Sequence, residues 1–422
     1  MPASFDLVRP ESVGLNAAQL AIADTHMAAN YLETGRYPGF SLLVSRHGQV
    51  AHLSAQGFAD IEEQRPLTTD SIVRIYSMSK PITSVALMQL YEQGRFQLTD
   101  PVAKFIPSFA RLKVWADGTP ANYSTKNVER EMTVQDLLRH TSGLTYGFIG
   151  NHPVDAIYRK KGVSSPATSL ADFCEILSDI PLLFSPGTRW AYSVATDVAG
   201  HLVELISGQS LDAYFQDHIF DPLGMVDTGF SVPDEKADRL ASNYAHPAIS
   251  PFGVPEGADP DTLMLKLEGN GETASARHTP AFLSGGGGLN STLADYHRFC
   301  SMLLNGGQLD GVRILGRKTV QYMASNHLPS GGDLASMGQP VFSETSYEGI
   351  GFGLGFSVVL DPCRSGVLSS PGEFAWGGAA STLFWIDPAE DLIVIGFTQL
   401  MPSSAYPSRA ELKAIIYSAI TS

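Results

Sequence analysis

The sequence predicts an α+β fold: one antiparallel sheet built from both ends of the chain, flanked by helices, with a mostly helical segment inserted between its halves. Three observations point there. The N-terminal part carries a β-rich hairpin pattern, the middle has apolar residues at helical spacing, and the C-terminal third returns to β-rich runs. The expected division is residues 1–98 and 235–422 for the sheet domain, and 99–234 for the helical insert.

Residues 39–46 (GFSLLVSR) and 50–56 (VAHLSAQ) flank His47-Gly48-Gln49 and read as two strands around a glycine-containing turn. After Ser71–Tyr76 comes SMSKPITSVALMQLYEQG. There Val85, Met88, Leu90 and Tyr91 recur at helical spacing, and Gly94 is a C-terminal cap. In MTVQDLLRHTSG, Thr133 is the expected N-cap and Gly143 the expected end. TDVAGHLVELISG and SLDAYFQDHIFDPLGM are further helical patterns, whereas 112–130 and 145–168 read as irregular. Residues 351–360, 381–388 and 391–400 are β-rich, Pro388–Glu390 turns between the last two, and 408–420 is a closing helix.

Composition bounds the function classes. The chain has 422 residues, 44% of them hydrophobic, which suffices for a substantial core. The net charge is −15 and the basic patch of a nucleic-acid binder is missing, so nucleic acid is not an expected partner. No run approaches the length of a membrane span and the N-terminus lacks a signal-peptide pattern, so the expected location is cytoplasmic, away from membranes. Cys174, Cys300 and Cys363 are far apart and odd in number, which predicts reduced buried thiols. The eleven histidines show no metal-ligand spacing, and neither a metal nor a cofactor is expected. Gly285–Gly288 lacks the lysine of a phosphate loop and reads as a tight turn before a helix at 293–304. His140 reads as a helix-end residue bonded to backbone. Nothing in the sequence encodes an oligomeric state.

Three motifs carry chemistry. In Ser77-Met78-Ser79-Lys80, a hydroxyl and an amine three residues apart share one helix face, so Lys80 can activate Ser77 as a nucleophile. A Ser-x-x-Lys match arises about once by chance in such a chain, and a solvated helix start is the competing reading. Tyr192-Ser193-Val194, just ahead of a helix, places a phenol that can share a proton with a lysine; a core tyrosine is the alternative. In Trp376-Gly377-Gly378-Ala379, two glycines permit close backbone approach, and an N–H there can join that of Ser77 around an oxyanion; a bulge is the alternative. No Gly-x-Ser-x-Gly elbow occurs, which argues against an α/β-hydrolase.

Taken together, the three motifs resemble the family VIII carboxylesterases, relatives of class C β-lactamases and penicillin-binding DD-peptidases. The resemblance runs nearly the whole chain, through LLRHTSGL (137–144), YSVATDVAG (192–200), IFDPLGMVDTGF (219–230), GGGGLNST (285–292) and WGGAASTLFWIDP (376–388). It implies a β-lactamase-like sheet and a serine carboxylesterase acting on small-molecule, short-acyl esters. Ser77 would be the nucleophile and Lys80 with Tyr192 the base pair. The N–H groups of Ser77 and Ala379 would form the oxyanion hole. Trp376, Gly377 and Gly378 would line the substrate site, and Asp197 would orient the Lys80–Tyr192 pair. Tyr123, Tyr146 and Phe148 are candidates for the cleft wall, with loop packing as the alternative.

Two positions depart from the β-lactamase pattern. Val194 stands where that pattern has Asn, and Trp376 where it has Lys. Without the amide and the carboxylate-binding cation, neutral esters are favoured over β-lactams and peptides, leaving weak β-lactam hydrolysis as a side activity. A β-lactamase, DD-peptidase or acyltransferase of the same fold, and a non-catalytic acyl-ligand sensor, are the rival functions.

Overall fold

The computed structural model describes residues 5–163, 165, 168–249, 262–267, 276–338 and 347–422. Its centre is an antiparallel sheet of eight strands: β1 (Gly39–Arg46), β2 (Gln49–Asp60), β3 (Arg65–Pro66), β4 (Ile350–Phe352), β5 (Ser357–Val359), β6 (Phe374–Gly377), β7 (Leu383–Asp387) and β8 (Leu392–Phe397). The order is β4-β5-β6-β7-β8-β1-β2-β3, so the N-terminal and C-terminal strands meet where β1 pairs with β8. His47 and Gly48, both with positive φ (53° and 71°), make the tight β1–β2 turn that the strand twist favours.

Side-chain alternation divides the sheet into two buried faces. Phe40, Leu42 and Val44 of β1, Leu383 and Trp385 of β7, and Leu392 and Val394 of β8 face one core. Leu43, Phe384, Ile386, Ile393 and Ile395 face the other. The first core is closed by α1 (Ala17–Met27) and α5 (Ser408–Tyr417), which pack on each other. The second is closed by α2 (Ser79–Glu92), α3 (Ala195–Ser207) and α4 (Leu293–Leu304). With both faces covered, every residue of β1 is buried. α2 is buried along nearly its whole length and packs on α3, which places it at the centre of the molecule.

Several local expectations are corrected. Residues 113–127, read as irregular, form a hairpin of strands Lys113–Thr119 and Asn122–Asn127. Most of its residues are exposed on both faces, so no apolar alternation marks it. Residues 153–161, also read as irregular, are helical: His152 and Asp155 form a capping box, Pro153 opens the first turn and Gly162 closes it with φ 62°. The helix after Thr133 ends at Leu138, not Gly143, because His140 adopts a left-handed φ of 56°. The run 351–360 is two short strands, broken where Gly355 (φ 112°) lies against Ser84 of α2. Cys174 and Cys300 are buried as expected, but Cys363 is exposed on the short helix Pro362–Ser365, and all three thiols are free. Among the described residues no helix is long and apolar enough to cross a membrane.

Candidate active site

Ser77 sits where the chain leaves the sheet side and enters α2. The short strand Val73–Arg74 pairs with Asn290–Ser291, and the Ile75 N–H donates to the Leu289 carbonyl at 3.0 Å. A single 3-10 turn, Tyr76–Met78, then feeds α2. The turn is pinned from below by Tyr296, whose Oη donates to the Met78 carbonyl at 2.9 Å. Pro81 lies in the first turn of α2, where its missing N–H costs no helical bond.

Lys80, on that first turn, is buried. Its Nζ donates to Ser77 Oγ at 3.1 Å, to Tyr146 Oη at 3.0 Å and to the Gly286 carbonyl at 2.6 Å. Three acceptors match the three hydrogens of an ammonium. Nζ also lies 4.6 Å from the Tyr192 ring centroid.

Tyr192 approaches Ser77 from the stretch ahead of α3, with Oη 2.5 Å from Ser77 Oγ. Its neighbours hold it through backbone bonds: Ala191 N–H to the His140 carbonyl at 2.9 Å, and Trp190 N–H to the Met337 carbonyl at 2.8 Å. The left-handed turn at His140 therefore has a use, since it presents that carbonyl. The His140 ring lies 5.1 Å from the Tyr192 ring. Its Nδ1 meets Ser193 Oγ at 3.1 Å, a side chain and not the backbone partner expected. Burial, and then the Lys80 charge, hold His140 well below the usual histidine range, so it is a neutral support.

Asp197, buried on α3, reaches Lys80 indirectly. Its Oδ1 accepts from Ser284 Oγ at 2.6 Å and from the Gly286 N–H at 2.9 Å. The same residue, Gly286, gives its carbonyl to Lys80. Burial raises the Asp197 carboxyl above its ordinary value, against the Lys80 charge and these two bonds. The glycine run explains how the loop fits: a Cβ at Gly285 would crowd the Thr196 carbonyl and the Thr83 side chain, and one at Gly286 the Asp197 carboxylate.

Trp376 and Gly377 end β6, and Gly378–Thr382 make a turn beside the nucleophile. Gly378 N–H donates to the Thr382 carbonyl at 2.8 Å, and Thr382 Oγ1 donates to the Ile75 carbonyl at 3.3 Å. A side chain at Gly378 would collide with that carbonyl and with Thr382 Oγ1. Among the described residues the Ala379 N–H meets no acceptor. The Trp376 ring lies 5.5 Å from that of Tyr192.

A cavity of about 690 Å3 opens on Ser77 and is lined by Tyr146, Phe148, Tyr192, Trp376, Gly377 and Ala379 among others. Phe148 stacks on Tyr146 with centroids 4.7 Å apart. Tyr123 is not brought in: it stacks on Trp115 at 5.0 Å in the exposed hairpin and does not line the cavity. The structure thus gathers Ser77, Lys80, Tyr192, Asp197, Trp376, Gly377, Gly378, Ala379 and Phe148, and leaves Tyr123 outside. Sequence reasoning missed the Tyr146 bond to Lys80, for which no spacing signal exists, and the Gly286 carbonyl. The four consecutive glycines signalled a close approach there, although not to which partner. No group of His, Cys, Asp or Glu among the described residues could hold a metal ion.

Comparison with known proteins gives a family for the chain. A family model described as Beta-lactamase matches residues 25–418. An uncharacterised protein of Mycobacterium tuberculosis, MT1414, is 33% identical over 383 residues, covering 90% of each chain. Esterase EstB of Burkholderia gladioli is 31% identical over 410 residues, covering 94% of each. The solved structure of EstCE1, described as a hydrolase with promiscuous acyltransferase activity, superposes with a TM-score of 0.77 at 26% identity, covering 95% of this chain and 99% of its own. The chain belongs to the β-lactamase family and is a serine hydrolase of that fold.

Proposed function

We propose that this chain is a carboxylesterase that hydrolyses neutral, short-acyl esters through a covalent acyl-enzyme on Ser77. The observation that carries the reading is the position of Ser77 Oγ, 3.1 Å from Lys80 Nζ and 2.5 Å from Tyr192 Oη at the floor of the cavity. A nucleophile flanked by two groups that exchange protons with it is the arrangement acyl transfer needs.

In this reading Ser77 Oγ attacks the ester carbonyl carbon while its proton passes to the Lys80–Tyr192 pair, which takes it in the form that has released one proton, either amine with phenol or ammonium with phenolate. The carbonyl π electrons move onto oxygen, and the N–H groups of Ser77 and Ala379 stabilise that oxyanion. Collapse breaks the C–O bond to the alcohol, which leaves with the proton the pair had taken. A water then enters and gives its proton to the pair. It attacks the acyl carbon, and Ser77 leaves reprotonated with release of the acid. EstB, a named esterase at 31% identity, supports an ester as the substrate. Trp376 and Val194 supply neither a cation nor an amide, which favours neutral esters and leaves β-lactam turnover a weak side activity. The short acyl group follows from the family resemblance.

Acyl transfer to an alcohol is the second reading. The aromatic wall of Tyr146, Phe148, Tyr192 and Trp376 suits an organic alcohol better than water, and EstCE1 is described as a hydrolase with promiscuous acyltransferase activity. The test is hydrolysis of p-nitrophenyl esters and a chromogenic cephalosporin by the protein and by Ser77→Ala, with and without added alcohol. Loss of all ester hydrolysis in Ser77→Ala is expected; retained hydrolysis overturns the assignment. Transfer outrunning hydrolysis favours the second reading.

A further inference from the structure

Tyr76, the residue before the nucleophile, has φ 44°. A bulky side chain at positive φ is unfavourable, and it persists only where its surroundings over-determine it. Here they do. The Tyr76 phenol accepts a 2.7 Å hydrogen bond from Nδ2 of Asn243, a buried residue. Asn243 stands on a rigid base, because Ser242 N–H donates to the Ala59 carbonyl, Tyr244 N–H to the Gln399 carbonyl and Leu267 N–H to the Asn243 carbonyl.

The same base holds the other half of the site. The segment Tyr244–Ala245 runs parallel to Leu400–Met401. Leu400 N–H donates to the Ala380 carbonyl at 3.1 Å, and Ser381 Oγ to the Leu400 carbonyl at 2.7 Å. Gln399, one residue earlier, brackets Arg74 on both its N–H and its carbonyl, each at 3.1 Å. Tyr76 and Ala379 pack against one shared buried cluster of Ala245, Leu267, Ala380 and Met401. One short strand therefore anchors the turn before Ser77 and the turn containing Ala379.

We propose that Tyr76 is a positioning residue, locked by Asn243 in a left-handed conformation that aims the Ser77 N–H at the same oxygen as the Ala379 N–H. This rests on the reading of Ser77 as nucleophile. Neither Tyr76 nor Asn243 exchanges a proton with substrate; their effect is on the geometry of the oxyanion donors.

The test uses Tyr76→Phe, which keeps the ring and removes the phenol oxygen, and Asn243→Leu, which removes the donor. The parent protein is first titrated with a fluorophosphonate and the labelled residue mapped. Absence of label on Ser77 would bring down the nucleophile reading and this inference with it. With Ser77 labelled, kcat and kcat/KM per active site for p-nitrophenyl acetate should fall together by roughly 10- to 100-fold in both variants, with KM little changed. Inhibition by phenylboronic acid, whose tetrahedral adduct places an oxygen between the two N–H groups, should weaken by the same factor. A merely structural role would lower the titrated active fraction and leave both quantities per active site unchanged. That outcome overturns the proposal, as does unaltered boronate affinity. Should Asn243→Leu not fold, Tyr76→Phe alone decides between these outcomes.

Discussion

Lys80 and Tyr146 are hydrogen-bonded, Nζ to Oη at 3.0 Å, and this bond occupies one of the three hydrogens of the ammonium. Burial, then the neighbouring Tyr192 and Asp197, push the Tyr146 phenol well above its ordinary range, so it stays protonated and acts by position. Tyr146→Phe should therefore keep the fold and the Ser77 nucleophile while lowering kcat/KM by roughly tenfold, because Lys80 loses one of its fixing bonds. Steady-state kinetics on p-nitrophenyl esters check this; an unchanged kcat/KM would show the bond to be incidental.

Asp197 acts on Lys80 through the Gly286 backbone, so shape should matter more than charge. Asp197→Asn keeps an acceptor for Ser284 and the Gly286 N–H, whereas Asp197→Ala leaves both unpaired in a buried site. The alanine variant should lose about 1–3 kcal/mol of stability for each unpaired group and most of its activity; the asparagine variant should retain the greater part of both. Thermal melts and kcat on the two variants decide it.

The two glycines of the third motif are not equivalent. The nearest atoms to a side chain at Gly377 are those at the flexible end of Arg409, whereas one at Gly378 meets the Ile75 carbonyl two residues before the nucleophile. Gly378→Ala should lower kcat/KM by roughly 100-fold or more through displacement of Ala379, and Gly377→Ala by far less. Equal effects in the two variants would contradict the proposed role of the turn.

Two buried carboxyls give stability opposite pH dependences. Burial would raise Asp136, but Arg130, Thr133 and Arg139 hold it down to about 2. Its contribution of about 2 kcal/mol is present above its ordinary value and lost as pH falls towards 2. Burial pushes Asp295 up to about 6, in spite of bonds from the Asp227 N–H and Thr228. Its contribution, about 3 kcal/mol, is present at low pH and lost as pH rises from about 4 to about 6. Asp295→Asn should therefore flatten the fall in stability over that window, and Asp136→Asn should weaken the protein by a constant amount at every pH above about 4. Denaturant titrations at a series of pH values check both signs.

Much of this architecture was legible. The alternation in GFSLLVSR, the turn at His47-Gly48 and the three C-terminal β-rich runs led to the central sheet, and helical spacing located α2, α3 and α5. The hairpin at 113–127 was not legible, because an exposed ribbon needs no apolar face. The helix at 153–161 carried readable signals in His152-Pro153 and Asp155 that a polar surrounding stretch obscured. In the site, Ser77, Lys80 and Tyr192 stood out because short motifs carry them. Tyr146 stood out only as a candidate for the cleft wall and Gly286 only as part of a tight turn; their role as partners of Lys80 did not, because it comes from tertiary approach: a phenol from an irregular loop and a carbonyl from a glycine turn converge on one amine. Tyr123 shows the converse, an aromatic residue in the same insert whose partner is Trp115 and not the cavity.

The most direct test of the central claim is to quench the protein within its first turnovers of p-nitrophenyl acetate and map the acyl group by peptide mass spectrometry. The account predicts a single acetyl on the peptide containing Ser77, absent in Ser77→Ala together with the burst of p-nitrophenol. An acetyl on any other residue, or a burst that survives in Ser77→Ala, would contradict it.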